Sequence, residues 1–234
     1  MMVKTIIANW KMNLPHGDVL GVDRYCQKFD AAQKAKMIIA PPFPFISMLQ
    51  TRGFQVAGQD VSANSNGAFT GEVSAEMLAQ VGAGYCIIGH SERRQYHHEG
   101  HGILTKKIIE LLNHQVIPIF CVGEQKDDHL AKKTYDVLSA QLTALNGFKG
   151  RKIFIAYEPV WAIGTGENAT TDTIKKIHHF LKTRLGKRVN ILYGGSVNQT
   201  NAKDILSLKD VDGLLVGAAS LKAEDMIKIL SCLH

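Results

Sequence analysis

The sequence predicts an α/β fold, a closed (β/α)8 barrel, on three observations. Eight short apolar runs recur along the chain. They are β-branched and continuously apolar rather than alternating, which marks strands buried on both faces of a parallel sheet. The stretches between them carry helical periodicity. The length of 234 residues accommodates seven crossovers of about 30 residues each. An open doubly wound sheet uses the same units. A strand count of eight, with polar or glycine residues after nearly every run, favours closure. No Ser/Pro-rich linker or low-complexity segment divides the chain, so residues 1–234 are expected to form one barrel domain.

The first run is Thr5–Asn9 (TIIAN), followed by Met37–Pro41 (MIIAP), Phe54–Gln59 (FQVAGQ) and Tyr85–His90 (YCIIGH). A helix is expected over Ile103–Leu112, where apolar residues at 103, 104, 108, 109, 111 and 112 mark a buried face. The fifth and sixth runs are Ile117–Val122 (IPIFCV) and Ile153–Glu158 (IFIAYE). A second clear helix is expected over Thr173–Leu185, with Thr171 or Asp172 capping its start and Gly186 ending it. Asn190–Tyr193 (NILY) and Gly213–Gly217 (GLLVG) complete the set.

Composition narrows the function classes. The chain is 45% apolar and 21% charged, which excludes whole-chain disorder. No apolar run approaches the ~18–20 residues of a membrane span. The stretch before Asn9 is too short for a signal peptide, so a cytoplasmic protein with no membrane partner is expected. Cys26, Cys86, Cys121 and Cys232 are scattered, without a C-x-x-C pair, which argues against a disulfide scaffold or zinc ribbon. The net charge of +6 comes without a basic run or arginine-glycine tract, so no nucleic-acid partner is expected. A positive field also suits a small anionic substrate. His97 and His101 are spaced i, i+4, but no H-E-x-x-H motif accompanies them and no metal site is expected. His178 and His179 are adjacent on a helix and face different directions.

In a barrel the C-terminal ends of the strands share one face. Those ends carry Asn9 and Lys11, Gln59 and Asp60, His90 with Ser91–Arg94, Cys121 and Glu124, Glu158, Gly194-Gly195-Ser196, and Gly217-Ala218-Ala219-Ser220. A strand-end carboxylate or histidine is ordinarily structural, and a glycine pair is ordinarily a turn. Together, a carboxylate, an imidazole, a fixed cation and two glycine-rich turns are what a phosphorylated carbonyl substrate requires. Glycine turns leading into helices present N–H groups to phosphate, and in barrels that site follows strands seven and eight. Pro159–Ala169 (PVWAIGTGENA) combines apolar Val160, Trp161, Ala162 and Ile163 with Gly164, Thr165, Gly166, Glu167 and Asn168. Apolar residues in a loop beside a carboxylate suit a lid that excludes water from a ligand. The same barrel could host a Schiff-base aldolase, for which only Lys11 is placed, or a binder of phosphorylated sugar without turnover.

The segments Asn9–Asn13 (NWKMN), Gly89–Arg94 (GHSERR), Ala156–Gly166 (AYEPVWAIGTG) and Tyr193–Val197 (YGGSV) resemble the triosephosphate isomerase family. Gly67–Glu72 (GAFTGE) resembles its dimer loop and Asp212–Gly217 its last strand. The matches follow the family's order and span nearly the whole chain. The resemblance implies a TIM barrel that interconverts dihydroxyacetone phosphate and D-glyceraldehyde 3-phosphate without a cofactor, in glycolysis and gluconeogenesis, as a homodimer. Glu158 then resembles the base, His90 the neutral imidazole that polarises the carbonyl, and Lys11 the cation facing phosphate and oxyanion. A helix beginning just after His90 would lower its pKa. Asn9 and Glu92 resemble supporting catalytic groups. Gly164, Ser196, Gly217 and Ala218 resemble phosphate donors, and Leu215 the residue that clamps over Glu158 with Ile163. Residues 159–161 and 167–169 would be lid hinges, with Tyr193 bonding near Ala169. Thr70 would reach the partner subunit's active site. Ala218 stands where a glycine is expected, and its methyl group requires negative φ. The chain is short for the family, which implies trimmed helices or loops.

Overall fold

In the computed structural model, which describes residues 4–163 and 169–233, eight parallel strands close into a barrel in sequential order. They are β1 (Thr5–Asn9), β2 (Met37–Ala40), β3 (Gln55–Gly58), β4 (Ala83–Ile88), β5 (Ile117–Val122), β6 (Phe154–Tyr157), β7 (Asn190–Tyr193) and β8 (Gly213–Val216). β1 pairs with β8 from Thr5 opposite Gly213 to Ala8 opposite Val216, which closes the ring. β1, β5 and β7 keep the expected bounds. Gln59, His90 and Glu158 fall just beyond their strands, outside the last paired residues. β4 begins two residues early because Ala83 pairs with Val56 across a register shift.

Two apolar shells explain why the strands read as unbroken hydrophobic runs. Ile7, Ile38, Ala57, Ile87, Ile119, Ala156, Leu192 and Leu215 pack inside the barrel. Their neighbours Ile6, Ile39, Val56, Ile88, Phe120, Ile155, Ile191 and Leu214 pack outward against the helices. Alternation along a strand then sets the mouth. Ile7 faces inward, so Asn9, two residues on, does too; Ala156 does the same for Glu158.

The helix His101–Asn113 buries Leu104, Ile108 and Leu111, but also Lys107. Ile103 and Ile109, expected on the buried face, are 42% and 41% exposed. Lys107 is tolerated because its Nζ lies 2.6 Å from both Asp60 Oδ1 and Glu99 Oε1; a buried ammonium requires such partners. The helix Thr171–Leu185 is capped by Thr170, one residue earlier than expected, whose Oγ1 accepts the Thr173 N–H at 3.2 Å. It ends at Gly186, whose φ of 99° suits glycine. Within it, His178 is fully buried between the Tyr157 and Tyr193 rings, while His179 is exposed beside Asp210.

His178 gives the fold an acid sensitivity. Its Nδ1 lies 3.2 Å from the Asp210 carbonyl and must donate to it, which leaves Nε2 buried without a hydrogen-bond partner among the described residues. Burial lowers its pKa from 6.5 to about 4. The unfolded chain therefore takes up a proton below about pH 6.5 that the folded chain refuses. Stability falls with pH through that window and levels off below about pH 4. The His178 contribution should cost about 2 kcal/mol between pH 7 and pH 5. Urea unfolding at the two pH values should show that loss in the native chain and not in His178→Gln. Equal pH slopes for the two proteins would refute the assignment.

Candidate active site

The strand ends enclose a cavity of about 230 Å3 lined by Asn9, Lys11, His90, Glu158, Ile163, Ser196, Leu215, Gly217 and Ala218 among others. Most of the expected residues therefore meet in one place. Gly164, Thr165, Gly166, Glu167 and Asn168 lie outside the described residues. Glu92 borders an adjoining cavity with Lys11, Gln59 and His90. Thr70 stands apart, in the exposed stretch 64–72.

Glu158 sits two residues beyond Ala156 on the inner face and is only 2% exposed. Its main-chain N–H donates to Val122 at 2.8 Å, so the last sheet bond of β6 fixes its Cα. Gly123 lies directly against its backbone; a Cβ there would stand 1.7 Å from the Glu158 carbonyl oxygen. Gly194 leaves room for the side chain, since a Cβ at that position would come within 3.2 Å of Glu158 Cγ. The carboxylate accepts the Ser91 N–H at 3.0 Å through Oε2 and lies 2.9 Å from His90 Nε2 through Oε1. Burial works to raise its pKa. The His90 ring, the Ser91 N–H and the Lys11 cation outweigh burial and hold it below the ordinary value.

His90 caps the helix Ser91–Tyr96, and its Nδ1 accepts the Glu92 N–H at 3.2 Å. That bond fixes the tautomer: Nδ1 carries the lone pair and Nε2 the proton. The expected lowering of the His90 pKa does not hold in this resting arrangement. Burial lowers it, but the Glu158 carboxylate, and behind it Glu92, raise it above the ordinary value. Once Glu158 moves away, burial, the helix N–H and the Lys11 cation favour the neutral ring, and Glu92 alone still opposes them.

Lys11 adopts a left-handed φ of 53°, a conformation costing a non-glycine residue about 1 kcal/mol or more. Asn9 Oδ1 accepts its N–H at 3.0 Å. Gln59 Nε2 donates to its carbonyl at 2.8 Å and to Ala40 at 2.9 Å. These bonds turn the ammonium toward Glu92 Oε1 at 2.6 Å. Gln59, which holds the Lys11 backbone in place, is the residue of this cluster that sequence reasoning passed over. It stood among the strand-end polar residues, and only its partners distinguish it.

Gly217 and Ala218 lead into the 3-10 turn Ala218–Leu221. Ala218 is not in the left-handed region, so its methyl group causes no strain there. Gly195 has a steric reason, because a Cβ would stand 2.2 Å from Tyr193 Oη. Ser196 Oγ donates to Ala162 at 2.7 Å and ties this turn to the segment after Glu158. That segment begins at Pro159 with the 3-10 turn Val160–Ala162. Trp161 and Ile163 are half-buried. Trp161 Nε1 donates to Glu124 Oε1 at 2.8 Å, and the His129 ring stacks on the indole at 4.3 Å. At the far end Tyr193 is hydrogen-bonded by the Ala169 backbone, as expected. Among the described residues, no group of three or more His, Cys, Asp or Glu could hold a metal ion, and no helix is long and apolar enough to cross a membrane.

Comparison with known proteins agrees with this geometry. A family model described as triosephosphate isomerase matches residues 4–233. The chain is similar to the triosephosphate isomerase of Ralstonia nicotianae, at 42% identity with 97% of each chain covered. It is 42% identical to that of Dichelobacter nodosus over 95% of each chain. It is 38% identical to that of Legionella pneumophila over the full length of both.

Proposed function

The chain belongs to the triosephosphate isomerase family, and on that premise we propose how its barrel mouth carries out the isomerisation. The protein interconverts dihydroxyacetone phosphate and D-glyceraldehyde 3-phosphate, a step of glycolysis that gluconeogenesis runs in reverse. The contact between Glu158 and His90, with His90 Nδ1 already occupied by a helix N–H, carries the reading. Substrate phosphate binds where Ser196, Gly217 and Ala218 present backbone N–H groups, with Gly164 completing the set and Lys11 supplying the opposing charge. The substrate carbonyl takes the His90 Nε2–H that Glu158 now holds. Asn9 adds a hydrogen bond beside it, and Glu92 fixes the Lys11 ammonium.

Glu158, released from Ser91 and His90, removes the proton from the carbon next to the carbonyl and returns it to the neighbouring carbon. His90 moves protons between the two enediolate oxygens, staying neutral once the carboxylate has left. A dry carboxylate is a stronger base. The lid over residues 159–169, with Ile163 and Leu215 closing on Glu158, keeps it dry and protects the enediolate from losing phosphate. The proton transfers use side chains alone, so no cofactor enters this scheme.

The working unit is a homodimer of one-domain chains (residues 1–234), in the cytoplasm. Residues 64–72 project as an exposed loop with Phe69 44% exposed, and its base is closed by Ser62 N–H to Val73 at 2.8 Å. Thr70 at its tip reaches the partner subunit's cavity. One experiment tests both statements: fractionation by size, with each fraction assayed for triose phosphate conversion. Conversion is expected in a peak of twice the chain mass. Folded protein without conversion overturns the isomerase mechanism; conversion only at single-chain mass overturns the dimer.

A further inference from the structure

We propose a second binding site at the end of the barrel opposite the mouth, for a small anion with an apolar body. A cavity of about 460 Å3, twice the volume of the one at the mouth, opens there beside the starts of β6 and β7. Its size falls within the range of about 300–1,000 Å3 typical of small-molecule sites. Leu142, Leu145, Phe148, Ile153, Ile155 and Val189 form its floor and walls.

The wall facing solvent is a built loop. Asn146, Phe148 and Arg151 each close a turn by donating to the carbonyl three residues back, at 3.0–3.1 Å. Gly147 and Gly150 provide its left-handed positions, at φ of 93° and 83°. Phe148 anchors it to the core.

Charge then selects the occupant. Lys149, Arg151 and Arg184 line the opening, and no carboxylate does. All three are exposed, and among the described residues none is in an ion pair. Arg184 has a structural reason, since it lies in the last turn of a helix and complements the carbonyls there. Lys149 and Arg151 lie outside any helix, and no dipole accounts for them. Lys152, Lys187 and Arg188, also exposed, follow in the same segments. A neutral apolar molecule would leave this positive rim unanswered, and a bare phosphate would leave the apolar floor unused. An aryl or medium-chain alkyl group bearing one carboxylate, sulfonate or phosphate satisfies both.

The probe is anilinonaphthalene sulfonate, with binding followed by fluorescence on the full chain. Saturable binding is expected, displaced by decanoate and not by decanol or inorganic phosphate at equal concentration. Combined Lys149→Glu, Arg151→Glu and Arg184→Glu should weaken probe binding about tenfold or more, while Lys28→Glu, far along the chain, leaves it unchanged. Leu145→Trp, which fills the cavity, should abolish it. Triose phosphate turnover should stay at the native value in all of these variants and reports that they are folded. Probe binding that survives the triple reversal, or displacement by phosphate as effective as by decanoate, would overturn the proposal. So would the absence of saturable binding.

Discussion

Glu158→Gln should lower kcat about 10⁴-fold, because an amide cannot accept the proton that general-base catalysis removes. Glu158→Asp keeps the base but withdraws it by one methylene, about 1 Å, and should cost about 10²-fold. Neither change touches the phosphate donors, so KM should move little. The fold should tolerate both variants, since the sheet bond from Glu158 N–H to Val122 is made by the backbone. A second readout separates chemistry from simple damage. The carboxylate 2.9 Å from His90 Nε2 is what raises the His90 pKa against burial. In Glu158→Gln that attraction is gone, and the His90 titration followed by NMR should move to lower pH. A variant that keeps a tenth of native turnover, or a His90 titration that does not move, would count against this assignment of the base.

The same pair shows how far the sequence could be read. Eight runs with both faces apolar were enough for a closed barrel, and their ends named nearly every residue that lines the mouth. Parity along a strand is a local property, so Asn9 and Glu158 could be aimed inward from Ile7 and Ala156 alone. Contacts between strand ends are not local. Nothing in the order of residues says that Glu158 rests on His90, and the expectation of a lowered His90 pKa failed for that reason: it counted the helix and omitted the carboxylate. The burial of Lys107 leaves no sign in the sequence on similar grounds, since its partner Asp60 lies 47 residues away. Gln59 went unassigned because its function lies in two backbone carbonyls, Lys11 and Ala40, and backbone groups leave no mark in a sequence. The Thr170 cap was missed by one residue because Thr170, Thr171 and Asp172 are all good caps, and only the turn entering the helix chooses among them.

Lys11→Met should lower kcat/KM about 10³-fold, with KM raised and kcat reduced together. Methionine keeps an unbranched stem of similar length, so the loss isolates the charge. The raised KM reflects the phosphate, which carries its negative charge before and during the reaction. The reduced kcat reflects the oxyanion, which develops only in the transition state. The position matters as much as the charge, because the left-handed φ of 53° aims the side chain across the mouth and Asn9 and Gln59 hold it so. Glu92 should depend on the same ammonium. Its Oε1 lies 2.6 Å from Lys11 Nζ, and a carboxylate that acts by fixing this cation has nothing to fix once the cation is removed. Glu92→Gln should therefore impair the native enzyme measurably and add little to Lys11→Met, a non-additivity that a double-mutant cycle reads directly. Fully additive losses would show that Glu92 acts on the substrate by a separate route, through His90 Nδ1 at 3.6 Å, and would detach it from the Lys11 device.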